Sequence, residues 1–333
     1  MRPLTSERPR RSPLVAAATL AAVIATLLAG PPAGAQQPPE AGTGLPVLAT
    51  PASGPLDVWP AHAPSGVEGF AATTSPETDA LPATPEGVPQ SIIGDPESVI
   101  GVDGRERLTS VKTDVYPLSA IGQIEFWQDG YGPYICTGYL IDGNSVLTAG
   151  HCAFDGAEDD PVDSATFLPA RNRVQGIVDN HWGSCPVAEV WAPDKWRFDG
   201  VPAHDYAVHQ LAPPCDFAET AGSFGLFTLT GTDAFAGRRL RVEGYPGDKG
   251  YGSRWRMVGE VDRNSVNFLH YPMDTFGGQS GSPLFKWNRP ECGGPCSAGV
   301  HAYGASGSPP MNSGPMMTRG RIGLLAAVAQ ANG

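Results

Sequence analysis

Residues 273–284 read M-D-T-F-G-G-Q-S-G-S-P-L, and they decide the fold because they surround Ser280 with glycines. A serine hydroxyl is a weak nucleophile unless a neighbouring base accepts its proton. Gly277, Gly278 and Gly281 let the backbone turn tightly enough to expose the side chain and to direct N–H groups toward a substrate carbonyl. For these residues alone, a Gly/Ser turn between two strands is the simpler interpretation. Other stretches of the sequence distinguish a nucleophilic serine from a simple turn.

Two upstream stretches supply partners for a nucleophilic serine. Residues 145–152 read S-V-L-T-A-G-H-C, an apolar strand followed by a small-residue turn that presents His151. Residues 204–211 read H-D-Y-A-V-H-Q-L, in which Asp205 opens a strand. An imidazole takes up a proton near neutral pH and a carboxylate orients it, so the pattern predicts a His151–Asp205–Ser280 catalytic triad. The chain order His, Asp, Ser is that of the double-barrel serine proteases.

On these three motifs the chain resembles the chymotrypsin-like serine endopeptidases, and within them the secreted bacterial glutamyl endopeptidases. The resemblance covers roughly residues 98–330. It implies an all-β domain over residues 98–333, built as two packed six-stranded antiparallel β-barrels with a C-terminal helix at Ile322–Ala331. It also implies that the backbone N–H groups of Gly278 and Ser280 form an oxyanion hole, and that no cofactor is needed.

The first 97 residues lie outside this resemblance. Residues 1–35 have a basic start, an apolar run and the small-residue site Ala33-Gly34-Ala35, which predicts a removed signal peptide rather than a membrane anchor. Residues 36–97 contain 12 prolines, 8 acidic residues and no lysine or arginine. This composition predicts a disordered, acidic, proline-rich pro-segment, and a plain linker is the alternative. We therefore expect a secreted, extracellular protein with no membrane contact after signal removal.

The start of the mature chain follows from the resemblance. Mature glutamyl endopeptidases begin with a sequence much like S-V-I-G-V-D-G-R, which here follows Glu97 directly. Cleavage at Glu97/Ser98 is therefore the hypothesis, and a start at Ser91, which opens the similar string S-I-I-G, is the competing one. The resemblance also implies that the new α-amine, on Ser98 or Val99, lies beside the specificity pocket and faces the substrate carboxylate.

The specificity pocket is expected beside Ser280 and along residues 298–304. Glutamyl endopeptidases resemble this chain in having a histidine where His301 stands and a hydroxyl residue where Thr275 stands. An imidazole and a hydroxyl together can hydrogen-bond a glutamate or aspartate carboxylate. Asp274 indicates the alternative, because trypsin-like enzymes keep at this position the acid that binds lysine or arginine. An inactive protease-fold binding protein is the alternative from a different functional class.

The cysteine count and the charge indicate which bonds and binding partners to expect. Six cysteines in an exported chain predict disulfide bonds rather than a metal site. The resemblance implies a bridge that pins the histidine loop and a second, small loop; elimination then gives the third, so that the expected pairs are Cys136–Cys152, Cys292–Cys296 and Cys185–Cys215. With 18 basic and 25 acidic residues from residue 98 onward, the protein lacks the concentrated basic face that nucleic acid requires.

An acidic stretch at residues 155–163 resembles no known calcium loop, so no metal is predicted there. The expected partners are protein or peptide substrates, bound by a monomer.

Overall fold

A computed structural model describes residues 44–64, 99–109 and 111–331. The predicted signal peptide, residues 1–35, lies outside the described residues, and so do both candidate processing sites, at Glu97/Ser98 and before Ser91. Val99, the second residue of the expected mature chain, is described.

Short apolar runs separated by turn residues form strands along most of the described chain. In chain order the strands are β1 (Val58–Trp59), β2 (Glu106–Arg107), β3 (Ile121–Gln128), β4 (Tyr131–Leu140), β5 (Ser145–Thr148), β6 (Phe154–Asp155), β7 (Asp160–Pro161), β8 (Ser164–Pro169), β9 (Asn172–Val174), β10 (Ile177–Asp179), β11 (Cys185–Trp191), β12 (Ala207–Leu211), β13 (Gly225–Phe227), β14 (Arg239–Gly244), β15 (Trp255–Glu260), β16 (Arg263–Asn264), β17 (Phe268–Tyr271), β18 (Pro283–Arg289), β19 (Gly294–Val300), β20 (Tyr303–Ser306) and β21 (Met311–Pro315). The helices are α1 (Asp194–Arg197) and α2 (Arg319–Ala331), with 3-10 turns at Val111–Asp114, Leu118–Ala120, Gly150–Cys152, Pro202–His204 and Pro290–Cys292.

The first half of the domain predicted over residues 98–333 is a closed six-stranded barrel. Its strands follow the order β11, β12, β5, β4, β3 and β8, and each neighbouring pair is antiparallel. Side chains such as Ile124, Val146 and Phe167 are fully buried and belong to the larger hydrophobic core. Burial of one face of every strand is what closes the sheet on itself. This element is the six-stranded barrel that the sequence predicts.

The second half contains two sheets and the closing helix. One sheet has the order β1, β13, β19, β18, β14, β15, β2, and the other has the order β16, β17, β21, β20. Helix α2 begins at Arg319, three residues before the predicted Ile322, and its Ile322, Leu325 and Val328 pack into the larger core. The mostly β architecture that ends in a helix agrees with the predicted fold.

Residues 44–64, here called the strap, differ from the predicted disorder of residues 36–97. The strap pairs with strands of the following domain: its strand β1 pairs with β13, and Val47 forms a parallel bridge with Val190. Trp59 Nε1 donates a hydrogen bond to the carbonyl oxygen of Ile141 at 3.0 Å. The prediction of disorder fails here because sheet edges elsewhere in the chain supply partners that the composition of the isolated segment does not reveal.

Three disulfide bonds join the pairs that were expected, namely Cys136–Cys152, Cys185–Cys215 and Cys292–Cys296. The first bond links β4 to the turn that carries His151, so it fixes that turn to the barrel. Among the described residues, no helix combines the length and the apolar character needed to cross a lipid bilayer.

Candidate active site

His151 and Asp205 lie together at one edge of the closed barrel. His151 lies in the 3-10 turn directly after β5, and Asp205 lies between a second 3-10 turn and β12, the neighbour of β5. Asp205 is fully buried. Its Oδ2 lies 2.9 Å from Nδ1 of His151, and its Oδ1 accepts the backbone N–H of His151 at 2.9 Å. This arrangement places the proton of the neutral ring on Nδ1 and leaves Nε2 as the acceptor.

The environment of His151 favours its protonated form. Burial by itself lowers the pKa of the imidazole, but the charge of Asp205 and the hydrogen bond to it raise the pKa by more, so that it lies above the ordinary value of 6.5. The indole of Trp196 packs close to this turn, with its ring centroid 6.4 Å from that of His151. The base is therefore held in one orientation by a buried carboxylate and covered by an aromatic ring.

The turn that carries Ser280 requires glycine at two positions. Gly278 and Gly281 have φ values of +97° and +89°, in the left-handed region that favours glycine. A Cβ at Gly278 would lie 2.5 Å from the carbonyl oxygen of Tyr245, and one at Gly281 would overlap the carbonyl oxygen of Thr137. The glycines that the sequence singled out thus allow the turn to pack against two backbone carbonyls.

Contacts of Ser280 bring the turn next to the histidine. Its carbonyl oxygen accepts the backbone N–H of Thr137 in β4 at 2.8 Å. Cys152 Sγ, one residue from His151, lies 4.0 Å from the same oxygen. Ser280 is 7% exposed, and these contacts fix its backbone.

Two backbone donors of this turn are unoccupied. Among the described residues, no hydrogen-bond acceptor faces the N–H of Gly278 or of Ser280, whereas the N–H of Gln279 between them donates to Phe276 at 2.9 Å. Unpaired N–H groups in a rigid turn can bind the negative oxygen that forms on a substrate carbonyl. The residues predicted for an oxyanion hole are thus the ones whose donors are free.

His301 follows β19 and is tied to the serine turn by its backbone. Its N–H donates to the carbonyl oxygen of Ser282 at 2.9 Å, and its own carbonyl oxygen accepts the N–H of Gly281 at 2.8 Å. Residues 298–303 are not one continuous strand, because β19 ends at Val300 and β20 begins at Tyr303. The break lets the backbone of His301 bond to the serine turn.

The His301 side chain is held as a neutral imidazole by a partner that the sequence did not indicate. The hydroxyl of Tyr271 lies 2.6 Å from Nδ1 of His301. Burial raises the pKa of Tyr271 well above its ordinary value, so the phenol keeps its proton and donates a hydrogen bond to Nδ1. Burial, and then the charge of His151, lower the pKa of His301 to about 3. The ring proton therefore resides on Nε2, which becomes a hydrogen-bond donor.

Thr275, the second residue predicted for the specificity pocket, lies five residues before Ser280. The residue is fully buried, and among the described residues its hydroxyl has no hydrogen-bond partner. An unpaired buried hydroxyl is costly, since it has lost its bonds to water. A ligand oxygen bound at this position would remove that cost.

Asp274 does not act as a free acid in the pocket. It is 1% exposed, and its two carboxylate oxygens accept the backbone N–H groups of Ile100 and Gly104, both at 2.7 Å. Two short charge-assisted hydrogen bonds occupy both oxygens. The trypsin-type alternative fails on this point, because the carboxylate that would have to bind lysine or arginine holds the segment that follows Ser98.

A second set of charges holds the same segment. The buried guanidinium of Arg105 binds the carboxylates of Asp103 and Asp248, and Lys249 Nζ lies 2.8 Å from Asp103. The hydrogen bond from Arg105, partly opposed by burial, lowers the pKa of the Asp103 carboxyl well below its ordinary range. Residues 100–105 are thus fixed to Asp274 and to the pair Asp248 and Lys249. Val99 is partly buried.

One group of possible metal ligands occurs in the described part of the chain, namely Cys136, His151 and Cys152. The two cysteine sulfurs are joined to each other in a disulfide and cannot bind a metal as thiolates. Nδ1 of the histidine faces Asp205. This set of donors does not fit a metal site.

Comparison with known proteins agrees with this geometry. The family model described as a trypsin-like peptidase domain matches residues 136–291. A glutamyl endopeptidase of Bacillus licheniformis is 37% identical over 238 residues, which are 71% of this chain and 69% of the relative. An extracellular metalloprotease of Bacillus subtilis is 30% identical over 213 residues, 63% of this chain and 64% of the relative.

Among solved structures, a Glu endopeptidase in complex with MPD is similar with a TM-score of 0.59. It is 30% identical, and the match covers 70% of this chain and 99% of that chain. The similarity in structure therefore extends over the whole protease body and not only over the serine motif.

Proposed function

The chain belongs to the glutamyl endopeptidase family of trypsin-like serine peptidases, and from this premise we propose that it is a secreted endopeptidase that cleaves peptide bonds after glutamate. The observation that carries the proposal is the buried hydrogen bond of 2.9 Å between His151 Nδ1 and Asp205 Oδ2 beside the glycine turn of Ser280. This arrangement serves covalent catalysis by a serine, since it supplies a base, its orienting acid and a fixed nucleophile.

The reaction proceeds in two steps. Ser280 Oγ attacks the substrate carbonyl while His151 Nε2 takes the hydroxyl proton, and the imidazolium that forms is stabilised by Asp205. The imidazolium then protonates the leaving amine, the peptide bond breaks, and an acyl-enzyme remains on Ser280. Water attacks this ester by the same route in reverse: His151 accepts a proton from the water and returns it to Ser280 as the acid product leaves.

The negative oxygen of each tetrahedral intermediate is bound by the N–H groups of Gly278 and Ser280. These donors have no other partner among the described residues, so no existing hydrogen bond has to break when the intermediate forms. Removing one donor of this kind from a serine protease typically costs about 3 kcal/mol of transition-state stabilisation.

The preference for glutamate comes from His301 and Thr275. The Nε2–H of His301 and the hydroxyl of Thr275 donate to the two oxygens of the substrate carboxylate. Tyr271 supports this role, because its hydrogen bond to Nδ1 leaves the proton of the neutral ring on Nε2. A cationic side chain would meet donors only, so lysine and arginine are excluded.

The new α-amine adds positive charge to the same pocket. Cleavage at Glu97/Ser98 leaves Ser98 as the first residue, and the bonds of Asp274 and Arg105 fix the residues that follow it. In this proposal residues 1–35 are a signal peptide and residues 36–97 a pro-segment, and processing completes a pocket that is otherwise one charge short. The mature enzyme acts outside the cell as a monomer on proteins or peptides.

The test is a map of cut sites. The purified secreted protein is incubated with a peptide library of all residue types, and the products are identified by mass spectrometry. Cleavage after glutamate, lost in Ser280→Ala and kept in the exposed control Ser306→Ala, is the expected result. Cleavage after lysine or arginine would overturn the assigned specificity, and absence of any cleavage by a folded protein would indicate a binding protein.

A further inference from the structure

We propose that the strap, residues 44–64, stays bound after cleavage before Ser98 as a second, non-covalent chain that holds the two halves of the enzyme together. The inference rests on the proposed processing, since the strap becomes a separate chain only if the connection to Ser98 is cut. It differs from the ordinary view of a pro-segment as a part that is discarded.

Backbone hydrogen bonds join the strap to both halves. Toward the first barrel, Leu48 N–H donates to Val190 at 2.9 Å, and Val190 N–H donates to Pro46 at 2.8 Å. Toward the second half, His62 and Ser223 exchange hydrogen bonds of 3.2 and 2.8 Å. Residues of one extended segment thus complete the hydrogen bonding of two separate parts of the protease body, as an added edge strand does.

Strand β13 depends on the strap at its outer edge. Val58 and Trp59 pair with Phe227 and Leu226 as the outermost strand of the seven-stranded sheet. Without the strap, β13 would be an open edge that exposes unpaired backbone groups and the buried side chains of Leu226 and Phe227.

Side chains of the strap fill both cores. Leu48 is buried in the larger hydrophobic cluster, and Trp59 packs against the same cluster, whereas Val58 packs against the smaller one. Thr50 accepts the indole N–H of the fully buried Trp191 at 3.0 Å. Departure of the strap would therefore uncover apolar surface and leave a buried donor without its partner.

The protease body has glycines where the strap backbone approaches most closely. A Cβ at Gly323, in the interior of helix α2, would overlap the carbonyl oxygen of Gly54. A Cβ at Gly225 in β13 would lie 2.6 Å from the carbonyl oxygen of Trp59. Glycine is a poor residue inside a helix or a strand, so close approach of the strap gives both glycines a reason. At these two positions the surface of the protease body accommodates the backbone of the strap.

The strap does not occupy the catalytic residues. None of the hydrogen bonds of the described residues joins the strap to His151, Asp205, Ser280 or His301. We therefore expect an enzyme that keeps the strap to remain active.

The experiment compares the processed enzyme with two helix variants. The full chain is secreted and purified by gel filtration, and its composition is measured by native mass spectrometry and by N-terminal sequencing of all chains. Expected are two N-termini, Ser98 and one before Leu45, in equal amounts within one particle. The inference is overturned if the catalytic chain that begins at Ser98 purifies without the strap, is active, and has the same melting temperature as the chain that contains the strap. An uncut chain would overturn the proposed processing together with it.

Gly323→Ala and Gly320→Ala supply the matched pair. Both glycines lie in α2, and alanine favours helix at either position, but an added Cβ at Gly320 meets nothing within 4 Å. We expect Gly323→Ala to lose the strap during gel filtration and Gly320→Ala to keep it. A synthetic peptide of residues 44–64 can be added to wild-type enzyme from which the strap has been removed. The melting temperature of the enzyme should then rise with increasing peptide concentration. Equal retention of the strap in both variants would contradict the proposal.

Discussion

The two halves of the protein each hold one histidine beside Ser280, in opposite chemical states. In the first barrel, His151 has the Asp205 carboxylate at Nδ1 and a raised pKa. In the second half, His301 has the Tyr271 hydroxyl at Nδ1 and a pKa lowered to about 3. The partner at Nδ1 thus decides the role of Nε2. A hydrogen-bond acceptor at Nδ1 keeps the ring proton on Nδ1, so Nε2 can act as a base. A hydrogen-bond donor at Nδ1 places the ring proton on Nε2, so Nε2 donates a hydrogen bond. In the proposed mechanism, these two identical side chains serve proton transfer and substrate recognition.

Removing the charge at the first histidine should have the largest effect. Asp205→Asn places an amide at Nδ1, which can donate to the ring and force the wrong tautomer, so kcat should fall by ~10⁴-fold with little change in KM. The measurement is steady-state kinetics on a glutamate peptide. The control is Asp199→Asn, an exposed surface carboxylate bound to Lys195. If kcat of Asp205→Asn falls by less than tenfold, the role assigned to the Asp205 carboxylate beside His151 is contradicted.

Removing the second histidine should change selectivity more than turnover. His301→Leu deletes a buried donor to the substrate carboxylate, which corresponds to roughly 10²-fold in kcat/KM for glutamate. Cleavage after leucine or glutamine, which lack the negative charge, should be reduced much less. Rates on matched peptides that differ only at the residue before the scissile bond decide this. An equal loss on all of them would indicate a structural role for His301.

Asp274 supports the second half indirectly, and its effect should be smaller. Asp274→Asn keeps the side-chain volume but weakens both hydrogen bonds to Ile100 and Gly104, so KM for glutamate peptides should rise by about tenfold with kcat nearly unchanged. Lysine peptides should remain poor substrates. A gain in glutamate cleavage would instead mean that the carboxylate repels the substrate from within the pocket.

Acid should destabilise the fold through His301, by at most about 1.4 kcal/mol per pH unit for one such group. Its folded pKa of about 3 lies below the ordinary 6.5, so the unfolded chain binds more protons between these values, and the stabilisation present above pH 6.5 is lost as pH falls. The contribution of His151 has the opposite sign and is lost as pH rises through its raised pKa.

Melting temperature against pH measures this difference. His301→Gln should lessen the decrease at acidic pH. A wild-type melting temperature that stays constant from neutral pH to pH 4 would contradict the buried neutral imidazole.

The sequence predicts what lies in short linear motifs. His151, Asp205 and the glycines around Ser280 can each be recognised from a few neighbouring residues. It could not predict partners that lie far along the chain. Tyr271 meets His301 across 30 positions, and Asp274 meets Ile100 across 174. Asp274 was ambiguous for this reason, since only its partners show which way the carboxylate points.

The order of the strap and the pairing of several strands could not be predicted from the sequence for a related reason. Strands β8, β11, β15 and β21 carry mixed or glycine- and proline-containing sequences whose pairing is determined by neighbouring strands rather than by alternation of apolar residues. The strap has still less intrinsic pattern, and its order depends on the edges at Val190 and β13. Local propensity alone therefore predicts least where the partner is distant.

The opposite states of the two histidines are tested most directly by nitrogen NMR of histidine-labelled enzyme over a range of pH. We expect His151 to titrate above pH 6.5 with Nδ1 protonated in its neutral form, and His301 to remain neutral with Nε2 protonated down to about pH 3. Assignment follows from the signals missing in His151→Gln and His301→Gln. A His301 signal that titrates near pH 6.5, or whose neutral form is protonated at Nδ1, would contradict the account.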